Sequence, residues 1–176
     1  MTAFRLRPFL YIAAVFTTAA AVAATLPNAA KAGDLFVFHP PADWPQMLNV
    51  NLPSREMTAW RDPNPSRRGD NLLVIVRPYG GTLAQAADSQ DVVREFPGAK
   101  VSKQQTSVCG GHPAVYLYVL AQKNGRPFIS ESMLSMWGSE FFSATYTRFG
   151  DGLPQARSAL VSLCPPGASQ STSTSW

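Results

Sequence analysis

Histidine and cysteine are the residues of this chain best suited to nucleophilic or metal chemistry, and each occurs twice, as His39, His112, Cys109 and Cys164. A serine hydrolase needs a histidine beside a nucleophilic serine, which in many such enzymes lies on a Gly-x-Ser-x-Gly elbow. The sequence contains no such elbow. His112 stands at a Gly-Gly-His-Pro corner that can expose its ring, so a small secreted hydrolase using His112 is the alternative function. The residue types and their spacing favour a protein that is not an enzyme, and they predict no catalytic residue.

The two cysteines are better suited to a disulfide than to a metal. Cys109 and His112 have the spacing C-x-x-H, but a metal site needs further ligands and no second Cys/His cluster occurs. A thioredoxin-type C-x-x-C motif is also absent. We therefore predict no metal, no other cofactor and a Cys109–Cys164 disulfide, which is typical of exported proteins. Two free buried thiols are the alternative.

Glu131 and Glu140 are the carboxylates that could act as a pair, because they lie on neighbouring predicted strands. Suitably spaced carboxylates carry out glycoside hydrolysis. Across a Gly138-Ser139 turn, however, the commoner arrangement is two outward-facing, solvated side chains. We predict that arrangement for both.

Aromatic side chains are concentrated between residues 116 and 146. Because alternate residues of a strand face opposite sides, Tyr116 and Tyr118 share one face. That face is either packed under a helix or forms a partly open apolar groove for a ligand. The predicted ligand-binding residues are Tyr116, Tyr118, Trp137 and His112. Their partner would be a protein or a small apolar ligand.

These candidates must be positioned by a β-rich region. Segments 114–122, 128–137 and 140–148 are predicted to form an antiparallel meander, with a hairpin at Asn124-Gly125. Residues 99–108 have the polar character of an edge strand. Earlier in the chain we predict strands at 33–38, at 55–60 and at 72–77, the last of them buried on both faces. Residues 46–53 are ambiguous.

Two helices are predicted to cover this sheet. Thr82 and Gln85 form a capping-box pattern before a helix from Leu83 to about Glu95, which Pro97-Gly98 ends. A second helix is predicted from Pro154 to Cys164. The fold class is therefore α+β, a mainly antiparallel sheet of about six to seven strands sandwiched with two helices.

The start of the chain is typical of a targeting segment. Arg5 and Arg7 precede an apolar, Ala-rich run that ends in an A-x-A signal. We predict a signal peptide over residues 1–32, cleaved after Ala32 or after Ala24. An uncleaved membrane anchor is the alternative. Residues 33–167 would form one domain and the Ser/Thr-rich residues 168–176 a disordered tail. The protein would be periplasmic or extracellular, and it would meet a membrane only through the signal peptide before cleavage.

The charge of the mature chain gives little support for a nucleic-acid partner. The predicted signal peptide holds three of the 15 basic residues and none of the 11 acidic ones, so cleavage leaves a net charge of +1. A nucleic-acid-binding surface normally carries a clear basic excess.

The order of these elements resembles the PsbP-like fold, which LpqN-type exported bacterial proteins share. The resemblance covers about residues 35–164 and is one of pattern and order. Its features here are Pro41-Ala42-Asp43-Trp44, Asp62-Pro63, Leu72–Val76, Pro97-Gly98, Gly110-Gly111-His112-Pro113, Ala114–Arg148 and Pro154–Leu163. The resemblance implies a non-enzymatic exported or accessory domain. It transfers no functional residue, because the family shares a scaffold and not an active site.

Overall fold

The computed structural model describes residues 35–53, 55–88, 95–96 and 98–168. These residues form seven strands, two α-helices and a short 3-10 helix at Pro65–Arg67. The strands are β1 Gln46–Leu52, β2 Arg55–Arg61, β3 Asn71–Pro78, β4 Lys100–Val108, β5 His112–Lys123, β6 Arg126–Trp137 and β7 Glu140–Arg148. The helices are α1 Leu83–Asp88 and α2 Pro154–Leu160.

The seven strands form one antiparallel sheet in the order β1-β2-β3-β7-β6-β5-β4. The sheet thus consists of two meanders, β1–β3 and β4–β7, which meet where β3 pairs with β7. The predicted α+β fold and the predicted β5–β7 meander are confirmed. Asn124 and Gly125 connect β5 to β6 with φ values of 53° and 73°, as a two-residue hairpin turn of type I′ requires.

One helix packs on each face of the sheet. On the face that we call the α2 face, α2 packs against β7 and β6. Its apolar core there also includes Leu72 and Val74 of β3 beside Tyr146 of β7. On the opposite face, the α1 face, α1 packs against Val115 and other apolar residues of β5 and β6. The sheet therefore separates two apolar cores.

The N-terminal strands differ from the prediction. In the described part of segment 33–38, Val37 forms a single bridge with Cys164 and no regular strand is present. The first strand is instead Gln46–Leu52, which had been ambiguous. The prediction that residues 72–77 are buried on both faces is also wrong, because Leu73 and Ile75 are only partly buried. They lie on the α1 face, where α1 packs against β5 and β6.

The helices begin as predicted. The amide of Thr82 donates to Oε1 of Gln85 at 2.8 Å, and the amide of Gln85 donates to Oγ1 of Thr82 at 3.2 Å, so the capping box is confirmed. Residues 89–94 lie outside the described residues, so the predicted extent of this helix to about Glu95 stays a prediction. The second helix ends at Leu160 and not at Cys164, because residue 164 bridges to Val37.

A disulfide joins Cys109 to Cys164, as predicted, with a Cα–Cα distance of 5.8 Å. It ties the corner between β4 and β5 to the segment that follows α2. Cys109 itself has a left-handed backbone with φ 49°. Such bonds persist in oxidising compartments, so the disulfide fits an exported protein.

The predicted signal peptide, residues 1–32, lies outside the described residues, as do the first two residues of the predicted domain. Of the predicted tail, residues 169–176 also lie outside them. Within the described residues, neither helix has the length and the apolar character needed to cross a bilayer.

Candidate functional site

A buried carboxylate organises the α2 face. The side chain of Glu131, in the middle of β6, is 1% exposed and accepts hydrogen bonds from three side chains. The hydroxyl of Tyr116 donates to its Oε2 at 2.6 Å. Nε of Arg148 donates to Oε1 at 2.8 Å, and Nε of Arg157 donates to Oε2 at 2.9 Å. We call these four residues the Glu131 cluster. The prediction of a solvated Glu131 is therefore wrong.

The two arginines keep Glu131 ionised. Burial alone would raise the pKa of Glu131, but hydrogen bonds from Arg157, Tyr116 and Arg148 outweigh it and hold the pKa below its ordinary value. Burial, followed by the hydrogen bond to Glu131, raises the pKa of Tyr116. Tyr116 therefore remains a neutral donor, and the cluster of one acid and two bases has a net charge of +1.

A pocket of about 230 Å³ opens beside this cluster, between α2 and the sheet. Its walls are largely apolar. The cluster supplies Tyr116, Glu131 and Arg157 to it, and the other lining residues are Gln104, Met133, Leu160 and Val161. The side chain of Arg157 is 47% exposed. Its Nη1 group makes no hydrogen bond to the described residues, whereas Nε and Nη2 bind Glu131.

The four predicted ligand-binding residues fall into two pairs. Tyr116 lines the pocket, and Tyr118 lies on the same face, opposite Glu131 in the strand register. His112 and Trp137 lie nearer the disulfide corner, where their rings stack with centroids 3.5 Å apart and planes inclined by 15°. Ligand contact by these four residues stays a prediction.

In the described part of the chain, the ring of His112 contacts a backbone carbonyl group and an aromatic ring. Its Nε2 lies 2.6 Å from the backbone carbonyl oxygen of Met136, and one ring face is covered by Trp137. No carboxylate or hydroxyl of the described residues hydrogen-bonds to this ring. The indole N–H of Trp137 is buried and has no acceptor among the same residues.

Sequence reasoning missed the two arginines of the cluster. Arg148 and Arg157 are 17 and 26 residues from Glu131 along the chain. Nothing in the sequence near Glu131 indicates them, because the register of β6 with β7 and the position of α2 bring them together. Among the described residues, no group of three or more His, Cys, Asp or Glu side chains is arranged to hold a metal ion.

The fold and this pocket define an α+β sandwich with a small, largely apolar pocket under a helix, lined by one acid and one arginine. A scan against protein-family models finds no match. A search of curated proteins finds no significant match either.

Solved structures with a similar fold include LpqN of Mycobacterium tuberculosis, a protein involved in cell envelope biogenesis. It is 13% identical, with a TM-score of 0.45 over 74% of this chain and 83% of LpqN. A structure from Bacteroides thetaiotaomicron VPI-5482 is 16% identical, with a TM-score of 0.46 over 77% of this chain. This chain spans 46% of that Bacteroides chain. LpqN is thus among the structures similar to this chain, as the resemblance implied. At these identities the similarity concerns the fold alone.

Proposed function

We propose that this protein is an exported, non-catalytic binding domain whose pocket beside the Glu131 cluster takes a small ligand with an apolar body and an anionic group. The ligand would meet the protein in the periplasm or outside the cell. Export is supported by the Cys109–Cys164 disulfide and by the signal peptide that residues 1–32 predict.

The observation that carries the proposal is the partly exposed guanidinium group of Arg157 beside an apolar pocket. Arg148 is almost fully buried against Glu131, whereas Arg157 reaches the surface with one guanidinium nitrogen unused. Guanidinium groups bind carboxylates, sulfonates and phosphates through charge-assisted hydrogen bonds. An anionic group at Arg157 would therefore balance the cluster.

The apolar walls determine what the rest of the ligand can be. Met133 and Leu160 are fully buried at the base of the pocket, and Val161 is half-buried at the end of α2. A volume of about 230 Å³ is small beside typical ligand sites of roughly 300–1,000 Å³. The pocket therefore suits a single ring or a short chain, with further parts of the ligand lying over Tyr116 and Tyr118.

The test is a fluorescence titration with 8-anilino-1-naphthalenesulfonate, an anion with aromatic rings. Val161→Glu places a negative charge in the pocket wall, and Val161→Gln is the neutral control of nearly the same shape. We expect the Glu variant to bind the probe at least about tenfold more weakly than the Gln variant, because like charges repel in a partly desolvated pocket. Equal affinities for the two variants would refute an anion-binding pocket.

A further inference from the structure

A second concave surface lies on the α1 face, on the other side of the sheet from the Glu131 cluster. It has a volume of about 540 Å³ and runs over β3, β7 and β6. Its floor carries five hydroxyl side chains, which are Ser130, Ser132, Ser143, Thr145 and Thr147. We call this surface the hydroxyl groove.

The hydroxyl side chains stand next to one another across two strands. Ser130 pairs with Thr147, and Ser132 pairs with Thr145, in the β6–β7 register. The same face of the sheet is apolar further along, at Leu134 and on the neighbouring strand at Leu117. A patch of hydroxyls in a half-buried sheet face costs free energy unless each hydroxyl has a hydrogen-bond partner.

Ser132 and Thr145 meet that requirement, and Ser130 does not. Oγ of Ser132 and Oγ1 of Thr145 are hydrogen-bonded at 2.9 Å. Ser130 is 1% exposed, and its Oγ has no hydrogen-bond partner among the described residues. Ser130 is one of the residues that line the groove, so a molecule bound there could supply the missing partner once the buried Oγ rotates toward it.

We infer that the hydroxyl groove is a binding site for a neutral, mainly apolar molecule with a hydrogen-bonding group, such as an amide, an amine N–H or a hydroxyl, that reaches Ser130. This site is separate from the pocket of the proposed function and does not depend on it.

The lining gives the reasons for a neutral and mainly apolar ligand. Three phenylalanines, Phe96, Phe128 and Phe149, form one wall of the groove, and Leu73 and Ile75 form the other. Its two charged lining residues, Glu95 and Lys123, are exposed and opposite in sign. The groove therefore offers apolar contact and neutral hydrogen bonding without net charge, and its volume lies within the roughly 300–1,000 Å³ of small-molecule sites.

The test uses N-phenyl-1-naphthylamine, which has the ring system and the N–H group of the sulfonate probe but carries no charge. Fluorescence titration of the mature protein should show saturable binding. Ser130→Ala should weaken that binding about three- to tenfold, as loss of one neutral hydrogen bond does. Thr147→Phe, which fills the groove from a half-buried strand position, should abolish it.

A second measurement distinguishes a binding role of Ser130 from a structural one. Without probe, Ser130→Ala should unfold at the same or a higher urea concentration than wild type, because it removes a buried hydroxyl that lacks a partner. Weaker binding together with undiminished stability is the expected result. Undiminished binding in Ser130→Ala and Thr147→Phe would overturn the inference, and so would the absence of any saturable binding.

The proposals for the two binding sites can be refuted independently of each other. Val161→Glu should leave binding of the neutral probe unchanged, and Thr147→Phe should leave binding of the sulfonate probe unchanged. If Val161→Glu weakens binding of the neutral probe and Thr147→Phe does not, the probe binds beside the Glu131 cluster, and the groove is not a site for it.

Discussion

At the scale of single residues, Glu131 explains most about the α2 face. A carboxylate that is 1% exposed would be strongly disfavoured without partners, because removing an ion from water costs several kcal/mol. Tyr116, Arg148 and Arg157 offset that cost together. One acid thereby fixes side chains of β5, β7 and α2 around itself.

Replacing this acid should destabilise the protein and change its response to acid. Glu131→Gln leaves the largely buried Arg148 without its counter-ion, so we expect the free energy of unfolding at neutral pH to fall by about 3–5 kcal/mol. The pKa of Glu131 lies below its unfolded value of 4.5 in the folded protein. Its stabilising contribution is therefore complete above that value and is lost as the pH falls through the folded pKa. Urea unfolding between pH 7 and pH 3 measures both effects.

Glu140→Gln is the matched control, because it makes the same chemical change at a half-buried residue of the next strand. We expect its stability to fall with acid as that of the wild type does, whereas the Glu131 variant should show a flatter acid limb. An acid limb in Glu131→Gln as steep as in wild type would contradict the role assigned to Glu131.

The contacts of single residues were the feature of this molecule that was hardest to predict from the sequence. Tyr116 was identified from the sequence by its ring, but its hydroxyl is what ties it to the cluster. Ser130 could not be identified at all, because an unpartnered hydroxyl depends on what surrounds it in three dimensions. The sequence shows residue types and local spacing. Long-range partners depend on strand register and helix position.

At the scale of elements, local chemistry was a reliable guide. The hairpin at Asn124-Gly125 and the capping box of α1 depend on residues within a few positions of one another, and both are present. β1 was ambiguous for a physical reason. It is a sheet edge with every residue except Val50 exposed, so the short alternation of Leu48, Val50 and Leu52 with two asparagines does not mark a buried face.

The capping box gives a prediction at this scale. Thr82→Ala removes the side-chain acceptor for the amide of Gln85, so the free energy of unfolding should fall by about 1 kcal/mol. Thr82→Ser keeps the hydroxyl and should lose much less. Urea unfolding of the three proteins at one pH checks this, and an equal loss in both variants would show that the hydroxyl does not matter.

At the scale of the whole molecule, the disulfide connects parts of the chain that the sheet alone does not join. It closes a separation of 55 residues between the β4–β5 corner and the segment after α2. The pairing was predictable because the chain has two cysteines and a predicted export signal. The order of strands in the sheet was not predictable from local patterns. The pairing of β3 with β7 brings together residues that are far apart in the chain, such as Val74 and Ala144.

Removing this bond should lower stability substantially. For the Cys109→Ser/Cys164→Ser double variant we expect the free energy of unfolding to fall by up to about 4 kcal/mol, because the unfolded chain regains loop entropy. The wild type with a reducing agent should behave like the variant, and the variant itself should not respond to the reducing agent. A reducing agent that leaves the urea midpoint of the wild type unchanged would contradict this expectation.

The meeting of the two meanders at β3 and β7 has a kinetic consequence. Each meander can form from neighbouring strands, but the sheet is complete only when chain segments as distant as Val74 and Ala144 meet. Closing so long a loop loses entropy before the contacts form, and such high contact order slows folding. The two cysteines lie in the C-terminal meander and after α2. Oxidation could therefore cross-link the C-terminal half before it pairs with the N-terminal half.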